Sequence, residues 1–175
     1  MENELYLELE DNEWPRTGID HDRQIVRAIL FDGEGMLHFI RARRDDGFGC
    51  SVLIETSGGG VEKGDESLTD AIKRELHEEL GAEVQVLGKI GVVSDYYNLI
   101  HRHNVNHYFL CRLISIGESD LTEDEKNLYH LVPLTLSYED AVREYERCAS
   151  TALGRLIAAR ELPILKRAKE MMASL

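Results

Sequence analysis

Three glutamates, Glu75, Glu78 and Glu79, stand at i, i+3 and i+4 in a stretch of helical pattern and so share one helix face. Like charges placed that way repel, and the arrangement calls for a cation between them. Hard divalent cations prefer carboxylate oxygens. An ion held there would bridge phosphate oxygens, neutralise charge and orient or acidify a water, which suits hydrolysis of a phosphoanhydride. Arg74 lies one turn before Glu78 and can pair with it, holding its rotamer. Upstream, Ser57-Gly58-Gly59-Gly60 is a glycine run that lets backbone approach a ligand closely or adopt positive φ. The plainer readings of the same residues are a solvated acidic helix face and a simple turn.

The elements that must position these groups are legible on both sides. Ser67 and Asp70 form a Ser-x-x-Asp variant of the capping box, so the helix starts at Ser67. Leu68, Ile72, Leu76 and Leu80 make its apolar stripe, and Gly81 stands where a left-handed cap is expected. Before it, residues 24–31 read as a strand, Asp32-Gly33-Glu34-Gly35 as a turn, and residues 36–43 as the returning strand. A polar loop over 44–49 leads to a short strand at 50–55. Beyond it, residues 83–98 and 106–116 are β in pattern, an acidic loop covers 118–125, and a last strand lies near 128–134. Ser137 and Asp140 repeat the capping signature before a helix ending near Cys148. Residues 151–172 are helical, with Pro163 marking a break or the first turn of a new helix.

The chain has 175 residues, which suits a single domain spanning 1–175. Within it, residues 1–20 are an acidic extension that could be an extra strand, a lid or a homodimer arm, and residues 137–175 form C-terminal helices. A formal charge of −13 argues against general nucleic-acid binding and leaves room for a small phosphorylated substrate met by a local cationic device. No apolar run reaches membrane-spanning length, and Met1-Glu2-Asn3-Glu4 begins no signal peptide, so a cytoplasmic location is expected. Cys50, Cys111 and Cys148 fit neither a disulfide framework nor a zinc pattern and read as small buried hydrophobes.

The spacing Gly60, five residues, Glu66, seven residues, then Arg74-Glu75-Leu76-His77-Glu78-Glu79-Leu80-Gly81 resembles the signature of the Nudix hydrolase superfamily at every fixed position. It departs only at Ala82, where a larger aliphatic residue is usual. The resemblance is good over residues 22–135, loose over the C-terminal helices and absent from the first 20. It implies an α/β fold, an α/β/α sandwich around a mixed β-sheet, and cleavage of a nucleoside diphosphate linked to another moiety. It also implies Glu75, Glu78, Glu79 and the Gly59 carbonyl as ligands of Mg2+, with Mn2+ as a substitute. Arg74 would orient Glu78, and Glu66 and Gly81 would support the loop–helix geometry. A further carboxylate from the acidic loop is expected, with Glu123 or Glu125 favoured over Glu118, Asp120 and Asp124.

For substrate contacts the candidates are Arg41 and Arg43 beside Arg44, Gly58 and Gly60, and the stacking pair Tyr96 and Tyr97. His101, His103 and His107 admit a zinc site, a substrate contact or a set of surface histidines. Arg155, Arg160, Lys166, Arg167 and Lys169 read as a solvated helix face. The leading functional expectation is a pyrophosphohydrolase acting on a nucleoside triphosphate, dinucleoside polyphosphate or nucleotide sugar. Tyr96-Tyr97-Asn98 without a nearby proline lowers ADP-ribose and mildly raises dinucleoside polyphosphates by the family's own markers. Competing readings are a silent nucleotide-sensing or partner-binding module and an enzyme acting on capped or triphosphorylated RNA ends.

Overall fold

The computed structural model describes residues 4–175; the start of the chain at Met1-Glu2-Asn3 lies outside the described residues. Eight strands form one hydrogen-bonded sheet: β1 (Leu5–Leu9), β2 (His21–Phe31), β3 (Leu37–Asp46), β4 (Gly49–Glu55), β5 (Gly58–Gly60), β6 (Ala82–Tyr97), β7 (Arg102–Ile116) and β8 (Val132–Leu136). Among the described residues four α-helices accompany them, α1 (Leu68–Leu80), α2 (Glu123–Asn127), α3 (Tyr138–Cys148) and α4 (Ala152–Ala173), with one 3-10 turn at Asn98–Ile100. Along the main path the order is β1-β6-β7-β2-β3-β4, with β5 added beside β2 and β8 beside β3. The β1–β6 and β2–β7 pairs are parallel and the others antiparallel, so the sheet is mixed.

β2 runs through the middle, and from Ile25 onward it is buried on both faces, which is why that part reads as a nearly continuous apolar stretch after the exposed, polar start of the strand. Its alternate residues serve two cores. Val26, Ala28 and Leu30 face Ala71, Ile72, Leu76 and Leu80 of α1. Ile29 and Phe31 face the side covered by α3 and α4, with Tyr145, Ile157, Ile164 and Leu165. Helix, sheet and helices thus stack in three layers, an α/β/α sandwich. Each fully buried Leu or Ile of α1 contributes about 1.5–3 kcal/mol.

The feature that makes room for a site is a split. β2 and β3 are paired only at Leu30–His38 and Phe31–Leu37. Beyond that they diverge, and β5 fills the gap by pairing Ile25–Gly60, Val26–Gly59 and Arg27–Gly58. The glycine run is therefore a strand rather than a loop.

Several expectations are corrected. Pro163 lies inside the single helix α4, because Ile157, Ile164 and Leu165 on either side of it are sunk in the core and outweigh the lost hydrogen bond. Arg160 is 2% exposed rather than solvated. Cys50 is exposed, whereas Cys111 and Cys148 are buried. The last strand starts at Val132, after the short helix α2 takes up the end of the acidic loop. Of the readings left open for the extension, an extra strand is what Leu5–Leu9 form, at the sheet edge beside β6, and residues after it make contacts with the body of the fold. Asp11 accepts the Asn98 N–H at 2.8 Å, and Glu13 pairs with Arg155 of α4 at 2.6 Å. Among the described residues no helix is long and apolar enough to cross a membrane.

Candidate active site

Helix α1 is held at both ends. The Ser67 side chain accepts the Asp70 N–H at 3.1 Å. Gly81 caps the other end at φ 64°, where a Cβ would lie 2.4 Å from the Gly117 carbonyl oxygen, so only glycine fits. Two backbone bonds then lash the acidic loop to the same helix: Gly117 N–H to the Gly81 carbonyl and Asp120 N–H to the Glu78 carbonyl, both 2.7 Å. The carboxylate face of α1 and the acidic loop are brought together by this clasp.

Across from that face lies β5. At Gly59 a Cβ would stand 2.6 Å from both carboxylate oxygens of Glu75, so the bare strand is what lets this carboxylate lie against the backbone. Glu75 is 8% exposed, and burial pushes its carboxyl above the ordinary range, an effect Arg74 opposes and the charges of Glu78 and Glu125 reinforce. Glu79 accepts a hydrogen bond from the Ser57 hydroxyl and another from the Gly58 N–H at 3.1 Å. Its burial outweighs these bonds, and its pKa is pushed up to about 8.

Arg74 occupies the gap between the like charges. Its guanidinium donates to Glu75 at 2.8 Å, Glu78 at 3.2 Å and the Gly60 carbonyl at 3.1 Å. Its main partner is Asp65, met by a bidentate fork with both bonds at 2.9 Å. Asp65 is held below its ordinary range chiefly by that contact, whereas Glu66 is exposed and its side chain makes no hydrogen bond among the described residues. The support expected of Glu66 falls to its neighbour, because the turn in which Asp65 also accepts the Glu62 N–H aims Asp65 at the helix.

Glu75, Glu78, Glu79, Gly58, Gly59 and Gly60 line one open cleft of about 680 Å3 together with Arg23 and Glu125. Of the two acidic-loop candidates, geometry brings Glu125 into this cleft. Glu123 is elsewhere, its carboxylate taken by Asn127 at 2.8 Å. Glu125 is fixed by a capping box with Thr122, which a Thr-x-x-Glu reading of the loop would have revealed.

The other substrate candidates are not brought to the carboxylates. Arg41 and Arg43 line a separate groove with His130 and Arg147, because β3 has diverged from β2 and carries them toward α3. Tyr96 stacks on His103, with ring centroids 4.6 Å apart, beside the N-terminal segment. Tyr97 is buried, and its hydroxyl accepts from Arg160 at 2.7 Å. The three histidines do not converge: His101 contacts the Gly18 carbonyl, His103 contacts Ser94 and Asp22, and His107 contacts Gln24. What the sequence reading missed is a second pocket, on the α4 side of β5, where Arg23, Arg27, Arg44, Arg102 and Arg160 come together. Burial first, then the charges of Arg102 and Arg27, hold the Arg23 guanidinium below its ordinary range.

Among the described residues no three His, Cys, Asp or Glu side chains form a ready coordination shell, since Glu75 and Glu78 turn to Arg74 and Glu79 turns to Ser57. The donor chemistry still fits a hard divalent cation. All the groups are oxygen donors, and Glu79 is a buried carboxyl whose charged form lacks a cationic partner.

The NUDIX domain profile matches residues 21–147. The chain belongs to the Nudix family. Solved structures agree on the fold. This Nudix protein superposes on the E. coli ORF135 protein with a TM-score of 0.57, at 21% identity over 88% of this chain and 93% of that one. It matches the MutT protein from Methanosarcina mazei Go1 with a TM-score of 0.57, at 17% identity over 86% and 95% of the two chains. A NUDIX hydrolase from Nitrosomonas europaea gives 0.57 at 14% identity over 71% and 78%. No curated protein sequence matches significantly. Family membership makes the protein a pyrophosphohydrolase, of a family that generally uses divalent metals and acts on small nucleotides.

Proposed function

We propose that this Nudix enzyme hydrolyses the diphosphate linkage of a small nucleotide, a nucleoside diphosphate joined to another moiety, with Mg2+ as the cation and Mn2+ as a substitute. The observation that carries the reading is the shared cleft: three carboxylates of α1, the bare strand β5 and Glu125 line one open space. Glu75, Glu78, Glu79 and the Gly59 carbonyl would hold the cation. When bound, it supplies charge neutralisation on the phosphate oxygens and a more acidic water.

The chain's own residues do the rest. Arg74 is fixed by its fork to Asp65 and keeps Glu75 and Glu78 from repelling one another out of position. Glu78, whose side chain is 43% exposed, lines the open cleft and would take the proton of the attacking water, which its access to solvent supports. Glu125, pinned by Thr122, lines the same cleft and would supply a further carboxylate.

The test is a panel of nucleoside triphosphates, dinucleoside polyphosphates and nucleotide sugars with Mg2+, read by phosphate release after a coupled phosphatase. Hydrolysis of at least one class, abolished by chelation, is expected. Flat activity across the panel, with ligand-induced thermal stabilisation retained, would replace the reading by a nucleotide-binding module.

A further inference from the structure

The pocket on the α4 side of β5 is cationic in a chain whose formal charge is −13. Five arginines line it, against Glu55 as its one carboxylate. Three of the five have partners. Arg44 pairs with Asp46 and Glu55, Arg160 pairs with Asp95 and Glu161, and Arg27 donates to Asn106 and to the Thr56 carbonyl. The guanidinium groups of Arg23 and Arg102 have no hydrogen-bond or ion-pair partner among the described residues, and Arg102 Nε is fully buried without an acceptor. Arg102 is half-buried and Arg23 lies at the exposed mouth of the pocket. A buried charged donor is ordinarily satisfied, so the open Arg102 Nε, with the unpaired Arg23 guanidinium beside it, is what a bound anion would satisfy.

The pocket and the carboxylate cleft are separated by little. β5 has no side chains; its glycines line the carboxylate cleft, and Gly60 also adjoins Arg23. A Cβ at Gly59 would meet the Glu75 carboxylate, and a Cβ at Gly60 would lie 2.6 Å from the Arg23 guanidinium. Arg23 itself lines both spaces. Arg23 is thus the residue the two spaces share, and a ligand held at the carboxylates can present a second group to the arginines past it.

We propose that this pocket is an anion subsite that selects substrates carrying a second compact dianion, a phosphomonoester, on the part of the molecule beyond the cleaved linkage. The assignment of which linkage is cleaved rests on the pyrophosphohydrolase reading above; the anion subsite itself stands on the arginines. At about 120 Å3 the cavity is smaller than the roughly 300–1,000 Å3 usual for a whole drug-sized ligand, so it takes a group rather than a nucleoside. Two unpaired planar forks match the charge and tetrahedral oxygens of a phosphomonoester better than a single carboxylate.

The experiment has a binding arm and a turnover arm. In metal-free buffer with chelator, adenosine 2′,5′-bisphosphate, adenosine 3′,5′-bisphosphate, adenosine 5′-monophosphate and inorganic phosphate are titrated into the full chain by calorimetry. At least one bisphosphate is expected to bind about tenfold or more tighter than the monophosphate. Arg102→Gln should bring the two within about twofold, while Arg102→Lys, which keeps charge without the fork, should retain part of the preference. Equal binding of bisphosphates and monophosphate by the unaltered chain overturns the proposal. So does inorganic phosphate binding as tightly as the preferred bisphosphate, which would make the pocket a site for free phosphate. In the turnover arm, kcat/KM is compared for a diphosphate-linked nucleotide with and without the extra phosphomonoester. A binding preference without hydrolysis of either substrate removes the pyrophosphohydrolase reading and leaves the subsite. Hydrolysis of both at equal efficiency, unchanged by Arg102→Gln, leaves the hydrolase and removes the subsite.

Discussion

Glu79 offers a sign-specific prediction for the metal-free protein. Burial against β5 pushes the pKa of its carboxyl up to about 8 from the ordinary 4.5. Between those values the native protein holds a proton that the unfolded chain has released, so stability must fall as pH rises, by about 1.4 kcal/mol per pH unit. Across the whole window the loss amounts to about 5 kcal/mol. For a chain of this size that corresponds to roughly 3–5 °C of Tm per pH unit. Glu79→Gln keeps an acceptor for Ser57 and Gly58 and removes the titration. The assay is thermal unfolding in chelator from pH 5 to pH 9, unaltered chain against variant. The Tm of the unaltered chain should decline through the window and the difference between the two curves should show the Glu79 step. Parallel curves would refute the argument, since Glu75, also raised by burial, titrates in both proteins.

Three further outcomes follow from the geometry. Gly59→Ala puts a methyl group 2.6 Å from a carboxylate that Arg74 pins, so kcat should fall by about 100-fold while Tm changes by only a few degrees, measured by steady-state kinetics beside a melting curve. Arg74→Met leaves Asp65 and Glu75 without their cation; with the guanidinium side chain one-fifth exposed, the discounted cost is about 2–3 kcal/mol, read from urea unfolding. Arg160→Met strips a buried guanidinium from Asp95, Glu161 and Tyr97 and should cost about 3–5 kcal/mol in the same assay, more than any exposed arginine of α4.

What was legible in the sequence was what local rules decide. Ser67 and Gly81 bound α1 because a cap is a contact within a few residues, and the i, i+3, i+4 carboxylates share a face for the same reason. The residues misjudged owe their places to long-range packing. Arg41 and Arg43 read as a cationic cluster for substrate contact, but the split between β2 and β3 sends them to another groove. The arginines that do adjoin the site come from β2, β3, β7 and α4 and meet only in three dimensions. Some signals were present and passed over. Leu5, Leu7 and Leu9 alternate as an edge strand does, and each is half-buried. Arg160 and Glu161 fall on the stripe of Ile157, Ile164, Leu165 and Ala168, which places both in the core. A glycine run carries no side-chain pattern at all, so its strand character could appear only through its pairing with β2.

The central claim is that the α1 carboxylates in the β5 cleft perform the hydrolysis, and Glu78→Gln tests it most directly. The substitution changes one oxygen on a half-exposed side chain, leaving fold and cleft shape intact. On any substrate the unaltered enzyme cleaves with saturating Mg2+, kcat should drop by about 100-fold or more with Tm held within a few degrees. Turnover near that of the unaltered enzyme would contradict the account.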